Sequence, residues 1–379
     1  MNGMFPCYAT AAFGLEGLVS RELKELGMAD VAAENGGVRF TADVAGMFAC
    51  NLHLDVCDRV FIIVGEQTCV SFEELYQLVL SLPWEKYAHG AEAFNIDARC
   101  ARSRLMSPRD CQSITKKAIL DRMRKVRGLS RFPESGCDFS VLVSIHADKV
   151  RVLLNTSGDA LSRRGYRTWN GEAPLRETLA AALIHLSPWR VGRPLYDPCC
   201  GTGTIVAEAA LMAAGRCPGL RRRFAMEEYA FCAGFDFSTV RREAESRFDR
   251  EKPFSIGGSD VDPEAIELAR RHCRQAEMEG RVQLSVGRLQ DLTMEDQGGV
   301  FICNPPYGER LSDQKSCREL YRDLHALQMR NPSWSLCAIS SDPGFERAFG
   351  KRADRKRRLY NGRLECTYYI FNAPEKRNP

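Results

Sequence analysis

Long hydrophobic runs and a secretory leader are both missing from this sequence. The apolar stretches at residues 60–64 and 141–145 have the length of a β-strand, and no apolar run in the sequence approaches the length needed to cross a bilayer. The N-terminus has no basic patch followed by a long apolar core, which is the pattern of an exported protein. We therefore expect a cytoplasmic protein that does not associate with membranes.

Metal-binding cysteine pairs are missing as well, although the chain contains 16 cysteines. No pair of cysteines has two residues between its members, which excludes the usual zinc and iron–sulfur knuckles. With 379 residues, the chain is also far longer than a scaffold held together by disulfides. We expect reduced thiols, many of them in the core, and no metal site.

Charge is nearly balanced overall, with a net value of +4, but it is unevenly distributed. Between residues 99 and 131, eleven Lys or Arg residues stand against two acidic residues, and residues 351–358 hold six basic residues and one acidic residue. Such clusters attract phosphate backbones through counterion release, although a solvated helix face carries similar charge. Both a nucleic-acid partner and a solvated surface therefore stay open for each cluster.

Two regions differ in their secondary-structure patterns. A chain of 379 residues is too long for one core, so we expect at least two domains. The first region mixes helices and strands without regular alternation, which indicates an α+β fold. Its predicted helices cover residues 15–26, the stretch after Ser71, and 112–123, and its predicted strands cover 38–40, 58–64, 94–98, 140–146 and 150–155.

The second region alternates strands and helices, as an open parallel sheet does. A closing hairpin is marked by Asn361-Gly362. The pattern predicts an α/β fold, namely a doubly wound, mostly parallel sheet with an antiparallel C-terminal hairpin. We expect domains at 1–160 and 161–379. The predicted strands are 194–197, 255–259, 283–286, 300–303 and 335–340, and the predicted helices are 175–184, 204–214, 263–277 and 317–328.

A glycine-rich turn at residues 197–204 (DPCCGTGT) follows the first strand of the second region. Glycine lets the backbone approach a ligand closely, and the next helix directs its N–H groups at that ligand. The turn lacks the lysine of a phosphate-binding P-loop, and Val206 stands where a dinucleotide fingerprint needs a small residue. The carboxylate before the glycines suits S-adenosylmethionine, which carries an ammonium group and no phosphate. The expected cofactor contacts are Asp197, Cys199, Gly201, Gly203 and Thr204.

Further acidic residues follow the next two strands. Asp260 emerges at the carboxyl end of the second strand, where ligands of such sheets bind, and it can accept both ribose hydroxyls. Asp262 is the alternative ribose partner, but it precedes Pro263 and can instead cap a helix. After the third strand, Asp291 can accept a hydrogen bond from the adenine amine, although a loop aspartate has many other uses.

The most specific short signal is the motif Asn304-Pro305-Pro306-Tyr307 after the fourth strand. A base amine is a poor nucleophile because its lone pair is delocalised into the ring. The Asn304 side-chain oxygen and the Pro305 carbonyl can accept its N–H groups, which favours a pyramidal nitrogen whose lone pair points at a methyl group. The prolines stiffen the backbone, and Tyr307 offers a flat face to a base removed from its stack. These four residues are the predicted catalytic motif.

Seven stretches resemble the bacterial THUMP-domain class I methyltransferases. Characterised members make N2-methylguanine in large-subunit ribosomal RNA, and relatives are often labelled N6-adenine-specific DNA methylases because both groups contain NPPY. The resemblance implies a Rossmann-like class I methyltransferase domain preceded by an α+β ferredoxin-like and THUMP region. The matching stretches are FGLEGLVSRELKELG (13–27), SRLMSPRDCQSITKKAI (103–119), RRGYR (163–167), APLRETLAAALI (173–184), DPCCGTGT (197–204), GSDVDP (258–263) and NPPYGERL (304–311).

The resemblance also implies roles for individual residues of the cofactor site. Asp197, Gly201 and Gly203 would line this site, and Asp260 would hold the ribose. Cys199 stands where relatives often have an aromatic residue, which would alter cofactor packing slightly. The residues that would lie beside the methionine end of the cofactor are Arg176, Glu177 and Thr178.

For the first region, the resemblance implies RNA binding by the THUMP domain. Larger members of the family fuse a second methyltransferase to the C-terminus, and because this chain stops at Pro379 we expect no second activity. The candidate RNA-binding residues are Arg102, Arg104, Lys116 and Lys117.

Three functions compete. The leading one is methyl transfer from S-adenosylmethionine to guanine N2 of large-subunit ribosomal RNA, without an obligate protein partner. An adenine-N6-specific DNA methyltransferase would use the same motif, but only about fifty residues separate Tyr307 from the closing hairpin, which leaves little room for a DNA-reading region. A non-catalytic RNA-binding protein would not need Asp197, Asp260 and Asn304, and their presence argues against it.

Overall fold

A computed structural model describes residues 3–128, 131–167, 175–295, 297–307 and 314–373 of the chain. The chain separates into two units, of which the first contains residues 1–11, 19–161 and 222–242, and the second 12–18, 162–221 and 243–379. Each unit therefore includes a short segment from a distant part of the sequence. Residues 12–18 belong to the second unit, and residues 222–242 belong to the first.

The first unit is built on a seven-stranded mixed sheet in the order β2-β3-β1-β4-β7-β6-β5. All neighbouring strands are antiparallel except β5 and β6. The five strands predicted here are confirmed, and the last two of them, β6 and β7, pair antiparallel as a hairpin. The strands are β1 (Phe5–Thr10), β2 (Ala29–Glu34), β3 (Gly37–Ala42), β4 (Arg59–Thr68), β5 (Ala93–Ala101), β6 (Asp138–His146) and β7 (Lys149–Asn155).

Polar capping residues set the ends of two helices in this part of the chain. The Ser71 hydroxyl accepts a hydrogen bond from the Glu74 N–H at 3.2 Å, which confirms the predicted cap of α3. The fourth helix extends beyond the predicted residues 112–123, because Ser107 caps its start and Gly128 ends it in a left-handed conformation. The helices are α1 (Glu16–Glu25), α2 (Val44–His53), α3 (Phe72–Ser81) and α4 (Pro108–Arg127), and short 3-10 helices cover Trp84–Lys86, Ala225–Glu228 and Ala230–Cys232.

The second unit contains a seven-stranded sheet in the order β10-β9-β8-β11-β12-β14-β13. Strands β8 to β12 run parallel, and β14 lies antiparallel between β12 and β13. This confirms the predicted α/β fold with an antiparallel C-terminal hairpin. The strands are β8 (Leu195–Asp197), β9 (Ile256–Asp260), β10 (Gln283–Val286), β11 (Val300–Cys303), β12 (Ser335–Ser340), β13 (Arg355–Asn361) and β14 (Leu364–Phe371).

Four helices predicted in the second region are confirmed with small changes at their ends. The elements that the sequence did not predict are β1, β2, α2 and two later helices. The second helix is apolar on nearly every side, with Met47, Phe48 and Leu52 buried, so it has no amphipathic period that would mark it. The remaining helices are α5 (Glu177–Leu186), α6 (Thr204–Ala213), α7 (Phe237–Ser246), α8 (Pro263–Gln275), α9 (Gln314–Arg330) and α10 (Phe345–Phe349), and Leu289–Asp291 forms a 3-10 turn.

An aromatic core supports the strands of the second unit near its hairpin. The ring of Phe345 stacks on Tyr369 with 4.6 Å between centroids, and Phe349 stacks on Phe371 with 4.1 Å. These contacts join α10 to β14, and Tyr321 of α9 lies in the same buried cluster. Such close packing fixes the backbone of the hairpin and so the positions of the side chains at its tip.

The sixteen cysteines are all free thiols, and all but Cys100, Cys137 and Cys199 are buried. Many of the cysteines therefore lie in the core, as the sequence predicts. Among the helices of the described residues, none combines the length and the apolar character needed to span a bilayer.

Candidate cofactor and catalytic site

The predicted site residues of the second unit follow three neighbouring parallel strands. Leu195 of β8 lies opposite Ile256 of β9 on one side and Val300 of β11 on the other. Because parallel strands end at the same edge, Asp197, Asp260 and Asn304 emerge together at the carboxyl edge of the sheet. The strand order reverses at β8, and such switch points are where open α/β sheets bind their ligands.

The glycine turn after β8 adopts a shape that requires its glycines. Gly201 and Gly203 have φ values of +51° and +80°, in the left-handed region that favours glycine. A Cβ atom on Gly203 would lie 2.8 Å from the Cβ of Ala269 on α8, which is too close for any side chain. The Gly203 N–H donates to the Cys200 carbonyl at 2.8 Å, and α6 begins at Thr204. The turn therefore places the N-terminus of α6 at the carboxyl edge of the sheet.

Asp260 is tied directly to this turn. Its Oδ2 atom accepts a hydrogen bond from the Gly201 N–H at 2.8 Å, and its Oδ1 atom accepts one from the Asp262 N–H at 3.1 Å. The side chain of Asp262 instead accepts from the Glu264 N–H at 2.9 Å and caps α8. The structure therefore brings Asp260 to the glycine turn and uses Asp262 to start a helix. The Gly287 N–H donates to the Asp260 carbonyl at 3.0 Å, which holds the chain before the exposed Asp291 beside the same edge.

Asp197 is a buried carboxylate that is bound to the backbone of the glycine turn. Its exposed fraction is 2%, and its Oδ1 atom accepts a hydrogen bond from the Cys199 N–H at 3.0 Å. Burial raises the pKa of Asp197 well above its usual range, and the nearby charge of Asp260 raises it further. A carboxylate in such a place is suited to bind a cationic group, because that group restores the electrostatic stabilisation lost on burial.

At the start of α5, Glu177 and Thr178 are buried and Arg176 is exposed at the cap position. Arg167 donates to the Glu177 carboxylate at 3.3 Å and to the Leu175 carbonyl at 3.0 Å. The structure does not describe residues 173 and 174 of the stretch APLRETLAAALI. In the described part of that stretch, Glu177 is buried within the second unit and pairs with Arg167.

His272 is a residue of this site that sequence reasoning missed. Its Nδ1 atom lies 2.9 Å from the Thr202 carbonyl, so α8 contacts the glycine turn through this ring. Burial lowers the pKa of His272, and the positive charge of Arg167 lowers it further. A neutral imidazole donating from Nδ1 fits these observations. The sequence carried no signal for His272, because its partner is a backbone carbonyl seventy positions away.

The Asn304–Tyr307 motif forms a hydrogen-bonded turn at the end of β11. The Tyr307 hydroxyl donates to the Asn304 Oδ1 atom at 2.5 Å, and the Tyr321 hydroxyl donates to the Pro306 carbonyl at 3.1 Å. Burial raises the pKa of Tyr307, while a hydrogen bond with the Asn361 side chain acts in the opposite direction. The motif is thus held by α9 through Tyr321, whose hydroxyl also contacts Ser340 at the end of β12. Residues 308–311 of the matching stretch lie outside the described residues.

The motif and the glycine turn lie at the same part of the sheet edge. Phe301 of β11 lies opposite Tyr196 of β8, so Asn304 and the glycine turn follow neighbouring strands at the same end. Cys303, which directly precedes Asn304, belongs to a buried cluster against which Cys199 of the glycine turn packs. The structure therefore brings together the two motifs that the sequence predicts to act jointly.

The candidate RNA-binding residues of the first unit lie in the segment before α4 and on this helix. Arg102 is exposed with φ at +51°, and the Arg104 Nε atom lies 4.0 Å from Asp148 Oδ2. Lys116 pairs with Glu134 at 2.6 Å, and the Lys117 ammonium lies 5.5 Å from the ring centroid of Tyr76. All four remain at least partly exposed, so each can reach a phosphate.

Comparisons with known proteins agree with this geometry. Residues 164–370 match the family UPF0020, described as "RMKL-like, methyltransferase domain". Residues 6–61 match the RlmL ferredoxin-like domain, and residues 69–155 match the THUMP domain. These matches confirm the predicted resemblance to THUMP-domain methyltransferases and the domain types of both regions.

Individual relatives extend over most of the chain. "Putative RNA methyltransferase YpsC" of Bacillus subtilis is 33% identical over 96% of this chain and 94% of its own length. "Ribosomal RNA large subunit methyltransferase K/L" of Shewanella loihica is 31% identical over 97% of this chain and 53% of its own length, so the chain spans about half of that relative.

A solved structure also covers nearly the whole chain. The crystal structure of SMU.472, described as a putative methyltransferase complexed with SAH, is 39% identical with a TM-score of 0.92, covering 98% of this chain and 99% of its own. SAH is the product that remains when S-adenosylmethionine has given up its methyl group. From its matched domains and its full-length relatives, the chain belongs to the RMKL-like methyltransferase family, and its cofactor is S-adenosylmethionine.

Proposed function

We propose that this chain is a cytoplasmic enzyme that methylates the exocyclic N2 amine of a guanine in large-subunit ribosomal RNA. The observation that carries the proposal is the shared sheet edge, where the Asn304 amide and the glycine turn lie beside each other. The names of the K/L relatives and the match to the THUMP domain support RNA as the substrate. An RNA-directed reaction also agrees with the name of the YpsC relative.

The residues at the glycine turn fit S-adenosylmethionine. The buried Asp197 carboxylate would accept from the ammonium group, and the remaining lone pairs of Asp260 would accept from the ribose hydroxyls. The absence of a Cβ atom at Gly203 lets the turn pack closely against α8 and face the cofactor with its backbone. When bound, S-adenosylmethionine supplies an electrophilic methyl group on a positively charged sulfur. Asp291, Cys199, Thr204 and the residues Arg176, Glu177 and Thr178 are the further proposed contacts.

On the other side of the edge, Asn304 and Pro305 would orient the amine. A carbonyl oxygen has two lone pairs, and the Tyr307 hydroxyl uses one of those on Asn304 Oδ1. The second lone pair can accept one N–H of the amine, and the Pro305 carbonyl can accept the other. Both contacts withdraw the nitrogen lone pair from the ring and direct it at the methyl group. The methylated nitrogen is positively charged and loses a proton to solvent without a tuned base.

Substrate binding would fall mainly to residues 1–160, with residues 161–379 performing the reaction. The exposed Arg102 and Arg104, together with Lys116 and Lys117 on α4, give the first unit a positively charged segment. Lys and Arg contacts to phosphates release counterions, and this release supplies affinity without selecting a sequence. We therefore propose that these four residues bind the RNA backbone.

Methylation of purified substrates tests the proposal against its rival. Labelled S-adenosylmethionine is incubated with the protein and either large-subunit ribosomal RNA from a strain lacking the gene or duplex DNA containing adenine. We expect label in N2-methylguanosine from the RNA only, and no label with Asn304→Ala. Label in N6-methyladenine of the DNA would favour the DNA methyltransferase. Absence of any transfer, with no heat on titration with S-adenosylmethionine, would favour a non-catalytic RNA-binding protein.

A further inference from the structure

A row of basic and aromatic side chains lies on β13, the last strand in the order of the second sheet. Lys356, Arg358 and Tyr360 alternate along this strand, so they share one of its faces. Phe13 completes the row: the guanidinium carbon of Arg358 lies 5.2 Å from the Phe13 ring centroid, and the Tyr360 ring meets Phe13 edge-on at 5.8 Å. We call these four residues the hairpin row.

Phe13 is held in the hairpin row by a close backbone approach. The neighbouring Gly14 has a φ of +85°, and a Cβ atom there would lie 2.9 Å from the Arg358 carbonyl oxygen. The Gly14 N–H also donates to Glu16 Oε2 at 2.8 Å, which fixes the segment before α1. Despite this fixed position, the Phe13 side chain is 49% exposed. The fold therefore holds an aromatic ring firmly and leaves about half of it in contact with solvent.

The hairpin row is continuous with the catalytic motif. The Tyr321 hydroxyl contacts both the Pro306 carbonyl and Ser340, and Ser340 lies opposite Thr367 of β14, which is paired with Arg358 of β13. Tyr307, next to Pro306, donates to the Asn304 oxygen that we assign to the target amine. A polymer with one base at Asn304 therefore has its neighbouring nucleotides close to the tip of the hairpin.

The chemistry of the hairpin row fits a nucleic-acid strand with exposed bases. Residues 351–358 carry six basic side chains and one acidic side chain, and Arg355 to Arg358 are all exposed. Nucleobases stack on aromatic rings, and phosphates pair with nearby Lys and Arg, which is the common arrangement in proteins that bind single strands. A paired duplex keeps its bases stacked inside and offers no base face to Phe13.

We propose that the hairpin row binds the single-stranded RNA beside the target nucleotide. A flanking base stacks on Phe13, and the phosphates on either side of it contact Arg358 and the remaining N–H donors of Lys356, which also pairs with Glu346 at 2.9 Å. This inference rests on the proposed function and adds to it the structural state of the substrate. The substrate of this enzyme is then an unpaired loop or a strand opened before methylation, and a fully paired helix is excluded.

Binding of a single-stranded oligoribonucleotide of twelve nucleotides with one central guanosine tests this proposal. Fluorescence anisotropy gives the dissociation constant of the full chain and of the variants Phe13→Leu, Phe13→Trp and Arg358→Gln over a range of salt. Phe13→Leu should weaken binding about 5- to 150-fold, as loss of one base–aromatic stack does, without changing the salt dependence. Phe13→Trp should restore the affinity. Arg358→Gln should lower the slope of log K against log salt by about 0.7, as loss of one phosphate contact on a single strand does.

Matched controls come from equally exposed residues elsewhere. Phe72→Leu removes a ring that is 39% exposed at the start of α3, and Arg274→Gln removes an exposed arginine on α8. Neither control should change the affinity, and S-adenosylmethionine titrations should show that all variants are folded. The inference would be overturned if Phe13→Leu bound RNA with wild-type affinity, or if Phe72→Leu lost as much affinity as Phe13→Leu. Methylation of ribosomal RNA by the wild-type protein would still support the proposed function in that case. Absence of both RNA binding and methylation in the wild-type protein would overturn the two proposals together.

Discussion

The carboxyl edge of the second sheet has two sides with opposite chemistry. Around β8 and β9 it ends in carboxylates, with Asp197 buried and Asp260 bound to the glycine turn. Around β11 it ends in an amide and a phenol, and the hairpin on this side of the sheet carries exposed arginines along β13. A cationic methyl donor and a polyanionic substrate require such a separation, because each would be repelled on the side that suits the other.

The two sides also differ in burial. The acidic side is stabilised by backbone N–H groups and by closely packed helices, which is the usual environment for a small cofactor that is largely enclosed. The basic side is exposed along β13, as a surface for a long polymer must be. The difference shows that one edge of the sheet separates the methyl donor from the substrate that accepts the methyl group, both by charge and by the extent of burial.

The largest effect is expected from Asn304→Ala, on the side of the sheet edge where the substrate would bind. The substitution removes the side-chain oxygen that would orient the amine, and loss of one preorganised hydrogen-bonding group in an active site costs about 10²- to 10³-fold in turnover. The cofactor side is untouched, so the dissociation constant for S-adenosylmethionine should stay within about twofold of wild type. Single-turnover methyl transfer and calorimetry measure the two quantities. Turnover that survives the substitution would show that the two sides do not act as proposed.

On the donor side, Asp197→Asn should weaken cofactor binding by at least about thirtyfold, as truncation of one member of a buried charge pair does. Asp262→Asn is the matched control, because asparagine caps a helix as well as aspartate does and Asp262 caps α8. Calorimetric titration of both variants with S-adenosylmethionine gives the comparison. Equal losses in the two variants would place the ammonium site elsewhere along the edge.

The same variant tests the raised pKa of Asp197. Because the folded-state pKa lies above the unfolded-state value, the folded protein holds the proton more tightly than the unfolded chain does. The stability contributed by this group is complete below the usual aspartate pKa and is lost as the pH rises through the folded-state pKa. Without cofactor, Asp197→Asn should therefore unfold at higher urea concentration than wild type at neutral pH, with a smaller difference at pH 4. If the difference in unfolding urea concentration between Asp197→Asn and wild type did not change with pH, the raised pKa of Asp197 would be contradicted.

Much of this edge could be predicted from the sequence, because its residues belong to short continuous motifs. The glycine turn, Asp260 and the Asn304–Tyr307 motif each follow a buried strand, and strand ends are found from apolar runs bounded by turn residues. His272 and Tyr321 could not be predicted, because each contacts the site through a backbone carbonyl that only the fold brings near. The role of Phe13 in the second unit was hidden for the same reason, since its partners on β13 lie more than three hundred positions later.

The RNA could be bound on the basic side alone or also by the first unit, and a variant that removes charge from the first unit distinguishes the two. Replacing Arg102, Arg104, Lys116 and Lys117 together by glutamine should weaken RNA binding roughly tenfold and flatten its salt dependence, by about 0.7 to 0.9 in slope for each lost phosphate contact. The control is Arg122→Gln, because two nitrogens of its guanidinium already bind both oxygens of the Glu85 carboxylate. Salt titrations of RNA binding measure both. An unchanged slope of log K against log salt in the quadruple variant would indicate that the second unit alone binds the RNA backbone.

The smallest effect is expected from Tyr307→Phe, on the side of the sheet edge where the substrate would bind. Tyr307→Phe keeps the ring that would face the base but removes the hydroxyl that donates to Asn304 Oδ1 at 2.5 Å. One hydrogen bond contributes about 0.5–1.5 kcal/mol, so a less firmly oriented amide should lower kcat about 2- to 13-fold and leave the KM for RNA unchanged. Tyr321→Phe is the control, since its hydroxyl contacts the Pro306 carbonyl and Ser340 and none of the proposed amine acceptors. A rise in KM with unchanged kcat would assign Tyr307 to substrate affinity and leave Asn304 to orient the amine without help.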